Sequence, residues 1–315
     1  METESYSINK VANPLMKINL ERNNCPEMLE NITYHVPEEW YRDVYKDHVT
    51  CRTGARSFSI THERTPKECW LFVHGYRGYP GEMVRPAVDL YAAGFDVFVP
   101  RLPGHGTSGK DFIRSHGSDW LTLVKNAIED LKKQYKTVHL LGHSMGSSII
   151  SLLGCSDPDI GKLVLVSPSF ENLDMKQPAR IILKFLSVFT PKVRCKWHMS
   201  TKYHQHYENA PCDEAYLGEE YWKWYFTKQL LEYYKIMKDG LKEMTEYSGD
   251  HLLINPLRDK IISEPSVELY LKAGGDRSCV VDIENGTHSV LYDKDPEAEE
   301  QAVRAILQFA GMSAV

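Results

Sequence analysis

The chain has 315 residues, and 42% of them are hydrophobic, which is enough to bury a sizeable core. Its 37 basic and 43 acidic residues give a net charge of −6, which argues against a nucleic-acid-binding protein that relies on a broad cationic surface. Seven scattered cysteines without a C-x-x-C pair predict free thiols in a reducing compartment.

The amino-terminal region, residues 1–46, matches no recognisable pattern and is predicted to form an extension that packs on the core. It shows neither a signal-peptide pattern nor a membrane-spanning apolar run, so the cytoplasm is the predicted location. Residues 47–65 predict an antiparallel hairpin at a sheet edge, with its turn near Thr53-Gly54-Ala55.

From residue 68 onward, short β-branched apolar runs alternate with segments of helical spacing. This alternation predicts an α/β fold, with a mostly parallel sheet covered by helices on both faces. The predicted strands are 69–74, 96–102, 137–144, 162–167, 251–255 and 278–283. The predicted helices are 81–94, 119–135, 145–153, 263–273 and 297–309.

The interval between the fourth and fifth predicted strands is too long for a simple crossover, so residues 169–247 are predicted to form an inserted helical cap. The core is then formed by residues 47–168 and 248–315. Within the cap, 181–189 has helical spacing and 219–237 is dense in aromatic residues. The aromatic residues predicted to line an acyl pocket, with ordinary cap packing as the alternative, are Phe185, Phe189, Trp222, Trp224, Tyr225 and Phe226.

The cap also contains a basic, histidine-rich stretch with His198, His204 and His206. No carboxylate or cysteine completes a convincing ligand set around these imidazoles, and a solvated lid explains the composition. We therefore predict no metal site.

The sharpest motif is Gly142-His143-Ser144-Met145-Gly146, a G-x-S-x-G that follows the apolar run TVHLL and precedes the helical run SSIISLL. In this context the motif is typical of a tight strand-to-helix turn that exposes the serine hydroxyl. Glycines on either side avoid clashes with neighbouring backbone. The helix that starts beside Ser144 directs backbone N–H groups towards an oxyanion forming there, so Ser144 is predicted to be a nucleophile.

Two partners of the serine are expected at the carboxyl ends of later strands, since ligands bind at that edge of an open α/β sheet. Asp259 follows the predicted strand 251–255, whereas Asp250 and Asp276 lie at strand starts, at the wrong edge. His288 ends the polar turn ENGTH after the last predicted strand. Asp259 is therefore the predicted orienting acid and His288 the predicted general base.

An oxyanion hole needs hydrogen-bond donors for the charge that develops on the substrate carbonyl. One donor is predicted at the N–H of Met145, directly after the nucleophile, and the other in the loop HGYRG after strand 69–74. Gly75 lets this backbone approach a carbonyl, so the second donor is assigned to the N–H of Tyr76. An ordinary glycine-rich turn is the alternative for this loop.

Three motifs, HG at 74–75, LPGHGTSG at 102–109 and GHSMG at 142–146, resemble the monoacylglycerol lipase and lysophospholipase-like carboxylesterase branch of the α/β-hydrolases, among serine aminopeptidase S33-like hydrolases. The likeness covers about residues 50–312 and is weakest through the cap. It implies the α/β-hydrolase fold with an inserted helical cap. It also implies triad roles for Ser144, Asp259 and His288, oxyanion positions at Tyr76 and Met145, and a structural role for His105.

The predicted function is hydrolysis of an acylglycerol-like, lysophospholipid-like or other small acyl ester through an acyl-enzyme, without a cofactor. One alternative is an amidase or aminopeptidase that recognises an amine through Glu219 or Glu220. Another is a catalytically silent protein that binds a small ligand. The expected partner is a small-molecule ester, without nucleic acid or stable membrane insertion, and a homo-oligomer is left open.

Overall fold

A computed structural model describes residues 32–171, 177–195, 218–262, 265–275, 278–293 and 295–311. The strands are β1 (Ile32–Thr33), β2 (Phe58–Ile60), β3 (Glu68–Val73), β4 (Asp96–Val99), β5 (Thr137–His143), β6 (Ile160–Val166), β7 (Lys192–Arg194), β8 (Trp224–Phe226), β9 (His251–Pro256) and β10 (Ser278–Ile283). The α-helices are α1 (Val84–Ala92), α2 (Gly109–Arg114), α3 (Gly117–Gln134), α4 (Met145–Gly154), α5 (Gln177–Phe189), α6 (Thr227–Met244), α7 (Pro265–Gly274) and α8 (Pro296–Ala310).

The main sheet contains eight strands among the described residues, in the order β1-β2-β4-β3-β5-β6-β9-β10. All neighbouring pairs from β4 to β10 are parallel, and the β1–β2 and β2–β4 pairs are antiparallel. This confirms the predicted α/β class with a mostly parallel sheet. Because β4 and β5 lie on opposite sides of β3, the strand order reverses there, and the carboxyl ends of β3 and β5 open a crevice suited to a ligand.

Side chains of the central strands alternate between two cores, one on each face of the sheet. Leu71 and Leu140 belong to the core covered by α3, α4 and α6. Phe72 and Leu141 belong to the core covered by α1 and α8. Burial on both faces explains why these strands are nearly continuous apolar runs in the sequence.

The structure corrects the predicted hairpin at residues 47–65. Thr53–Ala55 forms a single 3-10 turn, and β2 pairs antiparallel with β4 on one side and β1 on the other. The prediction was wrong because both partners of β2 are distant in sequence. Local alternation revealed this strand but carried no information about its neighbours.

Between β6 and β9 the chain leaves the main sheet, within the region predicted as a cap. In its described part, β7 and β8 pair antiparallel as a separate small sheet, and α6 packs against α4. The helices approach closely at Gly240, where a Cβ atom would lie 2.5 Å from the carbonyl oxygen of Ser148. Helix α6 therefore lies directly against the helix that follows the G-x-S-x-G motif.

The described part of the amino-terminal region contacts the sheet edge and α3. Trp40 is buried, and its indole N–H donates to Asp130 Oδ2 at 3.0 Å. The Asn126 side chain donates to the Trp40 carbonyl at 3.0 Å. Across the described ranges, no helix combines the length and apolar character needed to cross a membrane.

Candidate active site

The G-x-S-x-G motif forms a sharp turn between β5 and α4. Ser144 has φ 53° and ψ −115°, a strained conformation for a residue with a side chain. A Cβ atom on Gly142 would lie 2.4 Å from the Gly146 backbone, and one on Gly146 would lie 1.9 Å from the Val73 carbonyl oxygen. Glycine is therefore required at both positions for the turn to place Ser144 at the carboxyl edge of the sheet.

Asp259 and His288 lie in loops that follow two neighbouring parallel strands, β9 and β10. The loops are hydrogen-bonded to each other, since the Arg258 N–H donates to the Gly286 carbonyl at 2.9 Å. The turn before the histidine is fixed by Asp293, which accepts hydrogen bonds from the backbone and hydroxyl of Thr287 at 2.7 and 2.6 Å. The sheet topology thus brings together two residues that lie far apart in sequence.

The two side chains are hydrogen-bonded, with His288 Nδ1 at 2.8 Å from Asp259 Oδ2. Asp259 Oδ1 accepts the N–H groups of Ile261 at 2.7 Å and Ile262 at 3.0 Å. Burial would raise the pKa of Asp259, but the adjacent His288 and these hydrogen bonds outweigh burial and lower it. Asp259 is therefore ionised at neutral pH and fixes the Nδ1–H tautomer of the imidazole, which leaves Nε2 as the basic nitrogen.

The backbone of His288 is fixed by two side chains from the ends of β5 and β6. His143 Nε2 donates to the His288 carbonyl at 2.8 Å, and Ser167 Oγ donates to it at 3.0 Å. Burial, followed by the nearby His288, lowers the pKa of His143 to about 3, so its imidazole is neutral. Neither contact was predicted from the sequence, although both residues lie within the last two positions of predicted strands at the carboxyl edge.

Ser144 lies close to this pair, since the ring of the preceding residue, His143, is 5.1 Å from the His288 ring. Within the described residues, however, the Ser144 hydroxyl is not hydrogen-bonded to His288. The phenol of Tyr233 on α6 lies near Ser144; burial raises the pKa of Tyr233 to about 12, and the Ser169 and Ser144 hydroxyls oppose this change. Contacts between a nucleophile and its base often tighten only when substrate binds. Tyr233 was not predicted as a site residue; the available signal was the aromatic-dense stretch that contains it.

The loop after β3 approaches Ser144 from the neighbouring strand. A Cβ atom on Gly75 would lie 3.2 Å from Ser144 Cβ. His74 fixes this loop, because its Nδ1 donates to the Gly75 carbonyl and its Nε2 accepts the Leu102 N–H, both at 3.0 Å. Burial lowers the pKa of His74 to about 3, and only a neutral imidazole can donate and accept in this way. The backbone is therefore fixed just before Tyr76.

Of the two residues predicted as oxyanion donors, Met145 directly follows Ser144, and Tyr76 directly follows Gly75, which approaches Ser144. Met145 is the first residue of α4, so its N–H has no acceptor within the helix. Tyr76 has a half-buried side chain whose ring stacks on Tyr233, with centroids 5.2 Å apart and planes inclined by 15°. Burial raises the pKa of the Tyr76 hydroxyl, which donates to the Phe226 carbonyl at 3.4 Å.

Arg77 connects the same loop to the segment around β8. Its backbone adopts a positive φ of 59°. Its guanidinium Nη1 donates to the carbonyl oxygens of Trp224 at 2.8 Å and Tyr221 at 3.3 Å. The Trp222 indole donates back to the Arg77 carbonyl at 3.3 Å. The loop that carries Tyr76 is therefore tied to the segment between β6 and β9 through both the side chain and the backbone of Arg77.

The six aromatic residues predicted to line an acyl pocket lie in different surroundings. Phe185 and Phe189 on α5 are 66% and 71% exposed, and their rings are 5.0 Å apart. Phe226 is completely buried against Phe112, with ring centroids 4.6 Å apart, as in ordinary core packing. The other three residues are half-buried near Arg77 or Lys192 and are Trp222, Trp224 and Tyr225.

The two glutamates considered for amine recognition make other contacts. Glu220 accepts the Gly109 N–H at 2.7 Å at the start of α2, and Glu219 forms an ion pair with Lys223.

The described part of the chain contains no group of three or more His, Cys, Asp or Glu side chains that could hold a metal ion. The predictions concerning His198, His204 and His206 lie outside the described residues. His105 is buried, and its Nδ1 lies 3.1 Å from the Pro103 carbonyl oxygen.

The profile of the family described as serine aminopeptidase, S33, matches residues 64–295. The chain belongs to this family. The structure of this S33 member is similar to that of a metagenome-derived lipolytic enzyme, with a TM-score of 0.67 and 18% identity over 82% of this chain and 98% of the other. This similarity confirms the predicted α/β-hydrolase fold.

Two curated relatives of this S33 member are monoacylglycerol lipases. A thermostable enzyme from Bacillus sp. (strain H-257) is 37% identical over 102 residues, which cover 32% of this chain and 40% of the relative. An enzyme from Mycolicibacterium smegmatis is 29% identical over 140 residues, which cover 42% of this chain and 49% of the relative. The matches support the predicted resemblance to the monoacylglycerol lipase branch, but they span less than half the length of either relative.

Proposed function

We propose that this chain is a carboxylic ester hydrolase with Ser144 as nucleophile, His288 as general base and Asp259 as orienting acid. The observation that carries the proposal is the 2.8 Å hydrogen bond between His288 Nδ1 and Asp259 Oδ2, next to the strained turn at Ser144. An ionised carboxylate on Nδ1 leaves Nε2 free to accept a proton. That arrangement is needed to activate a serine hydroxyl.

In the first half of the reaction, Ser144 Oγ attacks the ester carbonyl carbon and His288 Nε2 takes the hydroxyl proton. The carbonyl π-electron pair moves onto oxygen, and the N–H groups of Tyr76 and Met145 bind the resulting oxyanion. As the intermediate collapses, the bond to the alcohol oxygen breaks and His288 returns its proton to that oxygen. The products are a free alcohol and an acyl group esterified to Ser144.

In the second half, water takes the position of the alcohol. His288 removes one water proton while the hydroxide oxygen attacks the acyl carbon, and the oxyanion forms at the same donors. Collapse releases the carboxylic acid, and His288 protonates Ser144 Oγ. The cycle uses only groups of the protein and water.

We propose a small acyl ester as the substrate, of the acylglycerol or lysophospholipid type. The names of the two matched relatives support this class. Glu219 and Glu220 already bond to Lys223 and Gly109, so they do not favour the amine recognition that an aminopeptidase needs. Alcohols are also better leaving groups than amines. Protonation by His288 alone is therefore sufficient more readily for an ester than for an amide.

The test is hydrolysis of monoacylglycerols and of p-nitrophenyl esters with two to sixteen acyl carbons, measured beside a panel of aminoacyl p-nitroanilides. Ser144→Ala is the inactive variant, and Ser156→Ala, which removes an exposed hydroxyl shortly after α4, is the matched control. We expect ester hydrolysis that Ser144→Ala abolishes and Ser156→Ala retains. Activity on anilides alone would favour the aminopeptidase alternative. Failure of Ser144 to react with a fluorophosphonate probe would favour the binding protein.

A further inference from the structure

A carboxylate from the amino-terminal part of the chain lies against the turn that follows β4. Asp47 forms an ion pair with the Arg101 guanidinium, and the two side chains are only 11% and 14% exposed. The other carboxylate oxygen, Oδ1, accepts the Gly104 N–H at 2.9 Å. Asp47 lies outside residues 64–295, the part of the chain that matches the family profile, so membership of the family assigns it no role.

The ion pair fixes both ends of the turn 101–105. This turn is closed by the His105 N–H, which donates to the Leu102 carbonyl at 3.1 Å, and Gly104 within it has a positive φ of 79°. The Arg101 guanidinium, held by Asp47, also donates to the His105 carbonyl at 2.6 Å. Since the same carboxylate accepts the Gly104 N–H, loss of its charge should loosen the turn at both ends.

The turn is hydrogen-bonded to the loop beside the nucleophile. The Leu102 N–H donates to His74 Nε2, and His74 Nδ1 donates to the Gly75 carbonyl, both at 3.0 Å. The Gly75 carbonyl and the Tyr76 N–H belong to one planar peptide group, so a bond that holds the carbonyl also directs the N–H. A continuous series of contacts therefore runs from Asp47 to the proposed oxyanion donor.

We propose that Asp47 is a positioning residue of the active site, which acts through the turn 101–105 to direct the Tyr76 N–H towards the oxyanion. This inference rests on the function proposed above. Asp47 contacts neither the substrate nor the reacting atoms, and no bond forms or breaks at it. The segment before β2 is thereby part of the catalytic structure.

The turn has further supports that should preserve its fold when Asp47 is changed. The Trp120 indole donates to the Pro103 carbonyl at 3.1 Å, and the Tyr221 hydroxyl donates to the Gly104 carbonyl at 3.0 Å. A variant at Asp47 should therefore lose the precise position of the turn rather than the turn itself.

The experiment compares Asp47→Asn with Asp43→Asn. The first variant keeps an oxygen for the Gly104 N–H and removes the charge that holds Arg101. The control changes an aspartate in the same segment whose side chain is 84% exposed and whose positive φ of 62° also suits asparagine. For Asp47→Asn we expect kcat per active site to fall about tenfold, with KM changed by less than about twofold. Asp43→Asn should retain wild-type kcat.

Active sites are counted by titration with a fluorophosphonate, and the second-order rate of that labelling is recorded as well. The rate should fall together with kcat, since phosphonylation also places negative charge at the oxyanion position. Both losses should stay near tenfold, because the Gly78 N–H also donates to the Gly75 carbonyl at 3.0 Å and keeps this peptide partly fixed. A merely structural role would instead lower the fraction of reactive sites and leave kcat per site unchanged, and this result would overturn the proposal.

A double-mutant cycle with His74→Asn tests the route. The asparagine amide can replace Nδ1 as donor to the Gly75 carbonyl, but it is too short to replace Nε2 as acceptor for the Leu102 N–H. In this background, Asp47→Asn should lower kcat per site by less than about a further twofold, because the route is already broken. Effects of the two variants that multiply would show that Asp47 acts independently of His74, and would overturn the proposal.

A neutral pair covers the case in which Asp47→Asn leaves a buried unpaired charge and does not fold. Asp47→Asn combined with Arg101→Gln removes both charges together, and the glutamine is too short to keep the bond to the His105 carbonyl. We expect the same tenfold loss of kcat per site. Wild-type kcat in this double variant would also refute the role of Asp47.

The serine variant separates the two proposals. If Ser144→Ala retained ester hydrolysis and labelling, the proposed function itself would be wrong. If Ser144→Ala were inactive while Asp47→Asn had wild-type kcat and labelling rate, only the role of Asp47 would be refuted.

Discussion

His143 Nε2 donates a 2.8 Å hydrogen bond to the carbonyl oxygen of His288, so the residue that precedes the nucleophile fixes the backbone of the proposed general base. Ser167 Oγ donates to the same carbonyl oxygen at 3.0 Å. The ends of β5 and β6 thereby determine where the loop after β10 lies. This geometry requires a proton on His143 Nε2, and the pKa of about 3 keeps the ring otherwise neutral.

Stability should depend on pH through the buried histidines. The pKa of His143 and of His74 is about 3 in the folded protein, against 6.5 for an unperturbed imidazole. Between these values the unfolded chain binds more protons, so the free energy of unfolding falls as the pH is lowered from 6.5 towards 3. Each histidine should contribute up to about 1.4 kcal/mol per pH unit. Urea unfolding at several pH values measures this slope.

The matched variant for that slope is His143→Gln, which keeps an N–H donor and cannot titrate. We expect a shallower pH dependence below pH 6.5 than in the wild-type protein, whatever the change in absolute stability. An identical slope would show that the His143 imidazole does not remain neutral in the folded protein.

Asp259→Asn should lower kcat on esters by about 10⁴-fold, the size of effect known for loss of the orienting carboxylate in a serine protease. An amide at this position does not enforce the Nδ1–H tautomer, so Nε2 no longer accepts the serine proton. The control is Asp282→Asn, at an exposed carboxylate on β10 that accepts from Asn255 at 2.6 Å. Activity of Asp259→Asn within tenfold of the control would exclude the proposed role of Asp259.

Gly146→Ala should prevent the nucleophile turn from closing. The added methyl would lie 1.9 Å from the Val73 carbonyl oxygen, a backbone atom of the central strand that cannot move aside. We expect a loss of more than about 3 kcal/mol in the free energy of unfolding, or no folded protein. In the control, Gly154→Ala at the end of α4, the methyl meets the ends of two leucine side chains, which can shift. Its stability should change by less than about 1 kcal/mol.

Arg77→Ala should lower kcat/KM by about tenfold, because the loop that positions Tyr76 loses its hydrogen bonds to the carbonyl oxygens of Tyr221 and Trp224. Arg77→Gly removes the same guanidinium but suits the positive φ of 59°. The glycine variant should therefore be about 1 kcal/mol more stable than the alanine variant and equally impaired. Thermal unfolding and ester kinetics measure the two effects separately. Wild-type kcat/KM in both variants would show that this link does not position the loop.

The sequence by itself predicted the parallel core and the three residues proposed as the triad. Strands buried on both faces must be continuously apolar, and the tight turn at Ser144 must have glycines at 142 and 146. Asp259 and His288 were identifiable because parallel strands place their following loops at one edge of the sheet. These features follow from local sterics and strand direction, which a sequence pattern records.

Only the tertiary structure decided which residues surround that edge. The contacts of Tyr233 with Ser144, of His143 with His288 and of Arg77 with β8 join segments that are far apart in the chain. The pairing of β2 with β1, in place of a local hairpin, has the same origin. Periodicity reports which face of an element is buried, but not what it is buried against. The partners are selected by packing of the whole fold.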